Sequence, residues 1–332
     1  MNNARSELLG LINSFQASRA IHVAASLRLA DKLSDGPASA PQLAIAARVQ
    51  PDELLRLMRT LAAIGVLQTM EDGKYALTPV GHFLRTDVAG TCAYMAELFS
   101  RPSVWQAWGA LQHSIETGQT AFDHVHGRNV WDYRVQNPQE ADIFDRAMSA
   151  GTKGFAQAVC DVCDFGRFSH VVDIGGGDGV FLAQILERNP GLCGTLFDQP
   201  EVIDRALAAQ YGESFQGRCK SIGGDFFDSV PKDGDAYLLK WILHDWSDAD
   251  SIRILEACRK AMRPSARLLV AEFVIGFENT SPDGELMDLT MMVMNGGRER
   301  SVQEFCSIFS AAGFELRSVT RTATPLCVLE AS

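Results

Sequence analysis

Apolar residues recur at helical spacing through Leu8, Leu9, Ile12 and Phe15, and again through Ile21, Val23, Ala24, Leu27, Leu29 and Leu33. Ser39-Ala40-Pro41-Gln42-Leu43 reads as a helix start with proline in the first turn. A further start at Pro51-Asp52-Glu53 leads into Leu54, Leu55, Leu57, Met58, Leu61 and Ile64, and stops at Gly65. Then the pattern shortens. Val66 to Met70 and Lys74 to Leu77 flank Glu71-Asp72-Gly73, a hairpin with glycine in its turn. Helix, turn, helix and hairpin make a winged-helix arrangement. The apolar positions from Leu8 to Leu33 exceed what one small winged helix can cover, which predicts a homodimer formed through this amino-terminal domain.

A helical middle section runs from about Val88 to Cys163. From there, strand-like runs alternate with helical ones. The strands are read at His170 to Ile174, Gly194 to Phe197, Ala236 to Leu239, Arg267 to Phe273, Glu315 to Arg321 and Cys327 to Glu330. Helices are read between them at Val180 to Arg188, Glu201 to Tyr211, Ser247 to Met262 and Ser301 to Ala312. That alternation predicts an α/β, Rossmann-like domain with a mostly parallel sheet between helices. The expected organisation is a winged-helix dimerisation domain over 1–95, a helical linker and substrate-pocket region over 96–165, and a cofactor-binding catalytic domain over 166–332.

Composition narrows the function classes. The chain has 332 residues, 46% of them hydrophobic and 21% charged, as in an ordinary globular protein with a sizeable core. A net charge of −11 argues against nucleic acid and against an anionic membrane surface as partners. No signal-type amino terminus and no window of about 20 apolar residues is found, so a cytoplasmic location is expected. Eight scattered cysteines read as reduced core thiols; Cys160 and Cys163 form a C-x-x-C without the second pair that zinc would need.

The most informative stretch is Val171-Val172-Asp173-Ile174-Gly175-Gly176-Gly177-Asp178-Gly179, a buried strand ending in an acid and a glycine cluster before a helix. Glycines there let backbone approach a ligand closely. The register lacks the last glycine of a dinucleotide fingerprint, and Asp173 would repel a pyrophosphate while favouring a cationic ligand. S-adenosylmethionine is therefore preferred over NAD. Asp198, ending the second strand, suits the ribose hydroxyls, and Asp225 beside Phe226 suits adenine. His244 follows a strand directly and can act as a general base. Glu272 or Glu299 could take the proton of its far ring nitrogen and fix the tautomer.

Asp173 to Gly179, Asp198-Gln199-Pro200, Gly224-Asp225-Phe226-Phe227, Lys240 with His244-Asp245-Trp246, Glu272 and Gly297-Arg298-Glu299-Arg300 occur in order. Together they resemble the S-adenosylmethionine-dependent small-molecule O-methyltransferases of the plant caffeate and bacterial secondary-metabolite type, over nearly the whole chain. Asp178 departs from the threonine that many relatives carry. The resemblance implies that Asp173, Gly175 and Gly177 lie in the cofactor site, with Gly175 at the methionine portion. It also implies Lys240 near the cofactor, His244 as base held by Glu272 and Glu299, and Asp245 close to the substrate. It further implies an acceptor pocket including Trp105, Phe144, Met148, Met291 and Asn295, with Asp288 an open case.

The reaction so implied moves a methyl group to a hydroxyl of an aromatic natural product such as a phenolic polyketide or phenazine. No metal is expected, since the acid cluster by which catechol-type relatives hold Mg²⁺ is missing from its place. Two rivals are a winged-helix transcription regulator, against which the acidic charge speaks, and a same-fold enzyme doing decarboxylation or hydroxylation. Relatives of the second kind tend to lose the base, and His244 is retained with both glutamates.

Overall fold

The computed structural model describes residues 2–208, 217–277 and 282–332. They form two compact units. The first takes the chain through Trp105 together with Asn137–Gly151; the second comprises Gln106–Gln136 and Thr152–Ser332. The segment 96–165 is thus shared between the units, and the long helix Pro138–Val162 gives residues to both. No helix among the described residues is long and apolar enough to cross a membrane.

In the first unit, helix Asn2–Ser26 is followed by helices Ala40–Ala47 and Pro51–Ala63. Ser39 caps the second of these through a reciprocal box with Gln42, which satisfies amide groups the first turn leaves unpaired. Strand Leu67–Thr69 pairs antiparallel with Tyr75–Leu77, in the place the shortened pattern predicts. The buried side chains Leu29, Leu43, Met58, Leu61 and Tyr75 form the core of this unit. Leu8, Leu11, Ile12 and Phe15 stay outside it, at 59%, 67%, 59% and 55% exposure. A row of large apolar side chains left in water on one helix is the mark of an association surface.

The second unit is built on a seven-stranded sheet. In spatial order its strands are Leu316–Arg321, Cys327–Ala331, Arg267–Glu272, Ala236–Lys240, His170–Ile174, Cys193–Asp198 and Cys219–Gly223. The five from Arg267–Glu272 to Cys219–Gly223 are mutually parallel, and Cys327–Ala331 runs antiparallel between its neighbours. Ile174, Asp198, Gly223, Lys240 and Glu272 therefore all end at one edge, where an open α/β sheet holds its ligands.

Sequence reading missed the strand Cys219–Gly223. It lies at the sheet edge with Lys220, Ser221, Ile222 and Gly223 exposed, so no apolar run announces it. The helix expected over Glu201 to Tyr211 is seen as Pro200–Ala208, and Tyr211 lies outside the described residues. Helix Asp283–Met294 was not predicted as an element. Its apolar residues are spread around the axis and give no clean stripe. Cys160 and Cys163 fall in and just after the last turn of the long helix, where burial pushes their thiols up to about 11 and about 12.

Candidate active site

Strand His170–Ile174 delivers Asp173 to the edge and gives way to the glycine loop, which enters helix Val180–Arg188. Gly175 has a φ of +66°, and a Cβ there would overlap the Ile242 side chain; glycine alone lets the two loops meet this closely. Asp178, the residue that departs from threonine, accepts from the Val180 amide at 3.2 Å at the start of the helix.

Asp173 is 1% exposed and its Oδ2 has no hydrogen-bond partner among the described residues. Burial pushes its pKa up to about 7, against the pull of Lys240. Burial also brings Lys240 down to about 8, against the opposing pull of Asp173. The Lys240 ammonium donates to Thr152 Oγ1 at 3.0 Å. Asp198 is fixed at the end of its strand: Gly177 donates to Oδ2 at 2.8 Å and Gln199 to Oδ1 at 2.7 Å. Asp225 accepts from the Phe227 amide at 2.8 Å, and Phe226 lies edge-on to Phe227 and Trp246. A glycine loop at positive φ, a buried acid and an acid on the second strand fit an adenosyl cofactor with a charged amino-acid tail.

The His244 turn is the second half of the site. Trp241 ends strand Ala236–Lys240 at a φ of +56° and turns the chain into a single helical turn, Leu243–Asp245. His244 is 6% exposed, and its Nδ1 stands 2.7 Å from Glu299 Oε1. In the neutral ring that contact favours the tautomer with the proton on Nδ1 and the lone pair on Nε2. Asp245 Oδ1 lies 3.7 Å from Nε2 and receives the Asn295 amide at 2.6 Å. Burial alone would lower the His244 pKa, but the carboxylates of Glu299, Asp245 and Glu272 outweigh it and raise it to about 9. Burial raises the pKa of Asp245 as well, against His244 and Arg134.

Glu272 corrects the expectation that both glutamates hold the ring. Its Oε1 accepts from the backbone amides of Ile242, Leu243 and His244 at 3.1, 2.7 and 3.4 Å. It holds the turn, while Glu299 holds the imidazole. With 0% exposure, its own pKa is raised to about 7 by burial, opposed by His244 and Arg300.

Of the remaining expected residues, Met291 and Asn295 lie at the end of helix Asp283–Met294 and just beyond it, and Asn295 also donates weakly to the Met291 sulfur at 3.7 Å. Trp105, Phe144 and Met148 belong to the first unit, where the Arg19 guanidinium lies over the Trp105 ring at 5.1 Å. Asp288 receives the Glu299 amide at 2.8 Å and so holds the residue that contacts the His244 ring.

Arg300 has a structural role that its place after Glu299 does not announce. It is fully buried and donates to the carbonyls of Leu243 and Trp246, to Ser251 Oγ and to Asp248 at 2.8–3.1 Å, clamping the His244 turn from the other side. Gly297 is the other missed position, because a Cβ would overlap the His244 carbonyl oxygen. A glycine pair before a charged run signals a close approach without saying to what.

The sequence profile of an O-methyltransferase domain matches residues 108–315, and that of an O-methyltransferase dimerisation domain matches residues 9–87. The chain belongs to the O-methyltransferase family. This O-methyltransferase is 38% identical to the phenazine O-methyltransferase PhzM of Lysobacter antibioticus, over 98% of this chain and 95% of that one. It is 36% identical to the mitomycin biosynthesis 6-O-methyltransferase of Streptomyces lavendulae, over 94% and 90% respectively. Among solved structures, LaPhzM superposes with a TM-score of 0.94 at 37% identity, covering 99% of this chain and 98% of that one. NcsB1 of neocarzinostatin biosynthesis, crystallised with S-adenosylmethionine and 2-hydroxy-5-methyl naphthoic acid, superposes at 0.81 with 31% identity and 95% coverage of each chain. The fold is the class I methyltransferase fold with an amino-terminal dimerisation domain, and the methyl donor of this O-methyltransferase is S-adenosylmethionine.

Proposed function

We propose that this O-methyltransferase methylates a hydroxyl of an aromatic natural product, with His244 Nε2 as general base, and works as a homodimer. The observation that carries the base assignment is the 2.7 Å contact between His244 Nδ1 and Glu299, which dedicates the other nitrogen to proton transfer. Relatives acting on phenazine, mitomycin and 3-amino-4-hydroxybenzoate support the acceptor class, and the apolar row on the first helix supports the dimer.

S-adenosylmethionine supplies a methyl group already activated by a sulfonium charge. Asp173, Gly175, Gly177, Asp198, Asp225, Phe226 and Lys240 would hold it at the sheet edge. His244 Nε2 takes the hydroxyl proton as the acceptor oxygen bonds to the methyl carbon, while the carbon–sulfur bond breaks and its electron pair returns to sulfur. Glu299 stabilises the imidazolium so formed, and Glu272 and Arg300 keep the turn from shifting. Asp245 and Asn295, with Met291, are proposed to contact the acceptor. A base near pKa 9 is well matched to a phenol, whose own pKa is close to 10.

The test is His244→Ala. Turnover with a weakly acidic phenol should fall by about 10²-fold or more, with affinity for S-adenosylhomocysteine nearly unchanged. Turnover near the wild-type rate would show that the enzyme works by proximity alone.

A further inference from the structure

We propose that the indole N–H of Trp241 is a cofactor-binding donor, which together with Lys240 receives the α-carboxylate of the methionine half of S-adenosylmethionine. The proposal rests on the cofactor reading above and adds to it a residue that no motif singled out.

Two features of Trp241 work against the folded chain. Its φ of +56° lies in the left-handed region, which a bulky aromatic residue rarely occupies unless its surroundings impose it. Its side chain is part of a residue only 9% exposed, and Nε1 finds no hydrogen-bond partner among the described residues. Indole nitrogen can donate but never accept, so it is satisfied only by a group bearing lone pairs. A buried donor without one is costly, and strain of this kind gathers where a ligand binds.

The neighbours indicate which ligand. Phe155 meets the indole edge-on at 4.8 Å, and the His244 imidazole lies nearly parallel to it, 14° off and 6.3 Å between centres. Lys240 Nζ lies 4.3 Å from the indole centroid and spends one of its three protons on Thr152. The indole therefore stands between the residue of the cofactor side and the base of the acceptor side. An ammonium and an N–H donor together make a receptor for a carboxylate. S-adenosylmethionine carries one such group, on its amino-acid tail. The acceptor's reacting oxygen belongs instead at His244 Nε2.

The test is Trp241→Phe, which keeps an aromatic ring and removes the donor together with part of the indole's volume. Calorimetry with S-adenosylhomocysteine should show affinity about ten-fold or more weaker than wild type. Methylthioadenosine, which has the same adenosine and thioether but no carboxylate, should bind both proteins alike. Equal weakening of both ligands would assign Trp241 to packing and overturn the proposal, as would unchanged S-adenosylhomocysteine binding. If the variant does not fold, the wild-type protein decides: its Trp241 indole N–H resonance should move on adding S-adenosylhomocysteine and stay in place with methylthioadenosine. An equal response to both would also overturn it.

Discussion

Replacing Glu299 with glutamine keeps the size and one acceptor oxygen of the side chain that touches His244 Nδ1, and removes its charge. In the wild-type protein that charge is the first of three carboxylates lifting His244 from 6.5 to about 9. A carboxylate in direct contact accounts for roughly one to two units of such a rise. The variant's base should then titrate near about 7–8. Two consequences oppose each other. At pH 7 the neutral, working fraction of His244 rises from about 1% to roughly 10–50%. Each neutral imidazole is however a weaker base with a less firmly held tautomer, a loss of roughly ten-fold. Turnover at pH 7 should therefore be equal to the wild type or up to about five-fold higher, and should fall to about ten-fold lower above pH 9, with the acidic limb of the profile displaced to lower pH. The assay is turnover against pH under saturating methyl donor, using an acceptor whose hydroxyl titrates above the scanned range. A defect of equal size at every pH, with the limb unmoved, would mean that Glu299 acts through packing alone.

Asp198→Asn should weaken S-adenosylmethionine by about 10-fold or more in calorimetry, because hydrogen bonds to a charged acceptor are worth about 1.5–3 kcal/mol each. Asparagine is preferred to alanine here, since the carboxylate also ties down Gly177 and Gln199 and its complete removal would loosen the loop; unchanged affinity would remove Asp198 from the ribose site. Light scattering at micromolar concentration should give twice the chain mass, and a monomeric mass would leave Leu8, Leu11, Ile12 and Phe15 without an explanation.

Local order was readable along the chain. The capped helix after Ser39, the hairpin around Gly73 and helix Val180–Arg188 follow from periodicity and from turn and cap residues, which act over a few positions. The glycine loop was readable too, because a strand stopping at glycines has few other uses. Cys219–Gly223 was not, since an exposed edge strand draws its stability from backbone pairing to Cys193–Asp198 and needs no apolar run. Residue types likewise brought His244, Glu272 and Glu299 forward as a group. Which acid reaches the ring is a matter of distance, settled when the sheet sets Glu272 beneath three backbone amides and the loop after Asn295 carries Glu299 to Nδ1. The roles of Arg300 and Gly297 were hidden for the same reason: their partners are carbonyl oxygens about 50 residues away, and every residue carries one. Spacing records what a segment does with its neighbours. A proton's destination depends on atoms that only the folded sheet brings within 3 Å, and that was decided by the tertiary structure.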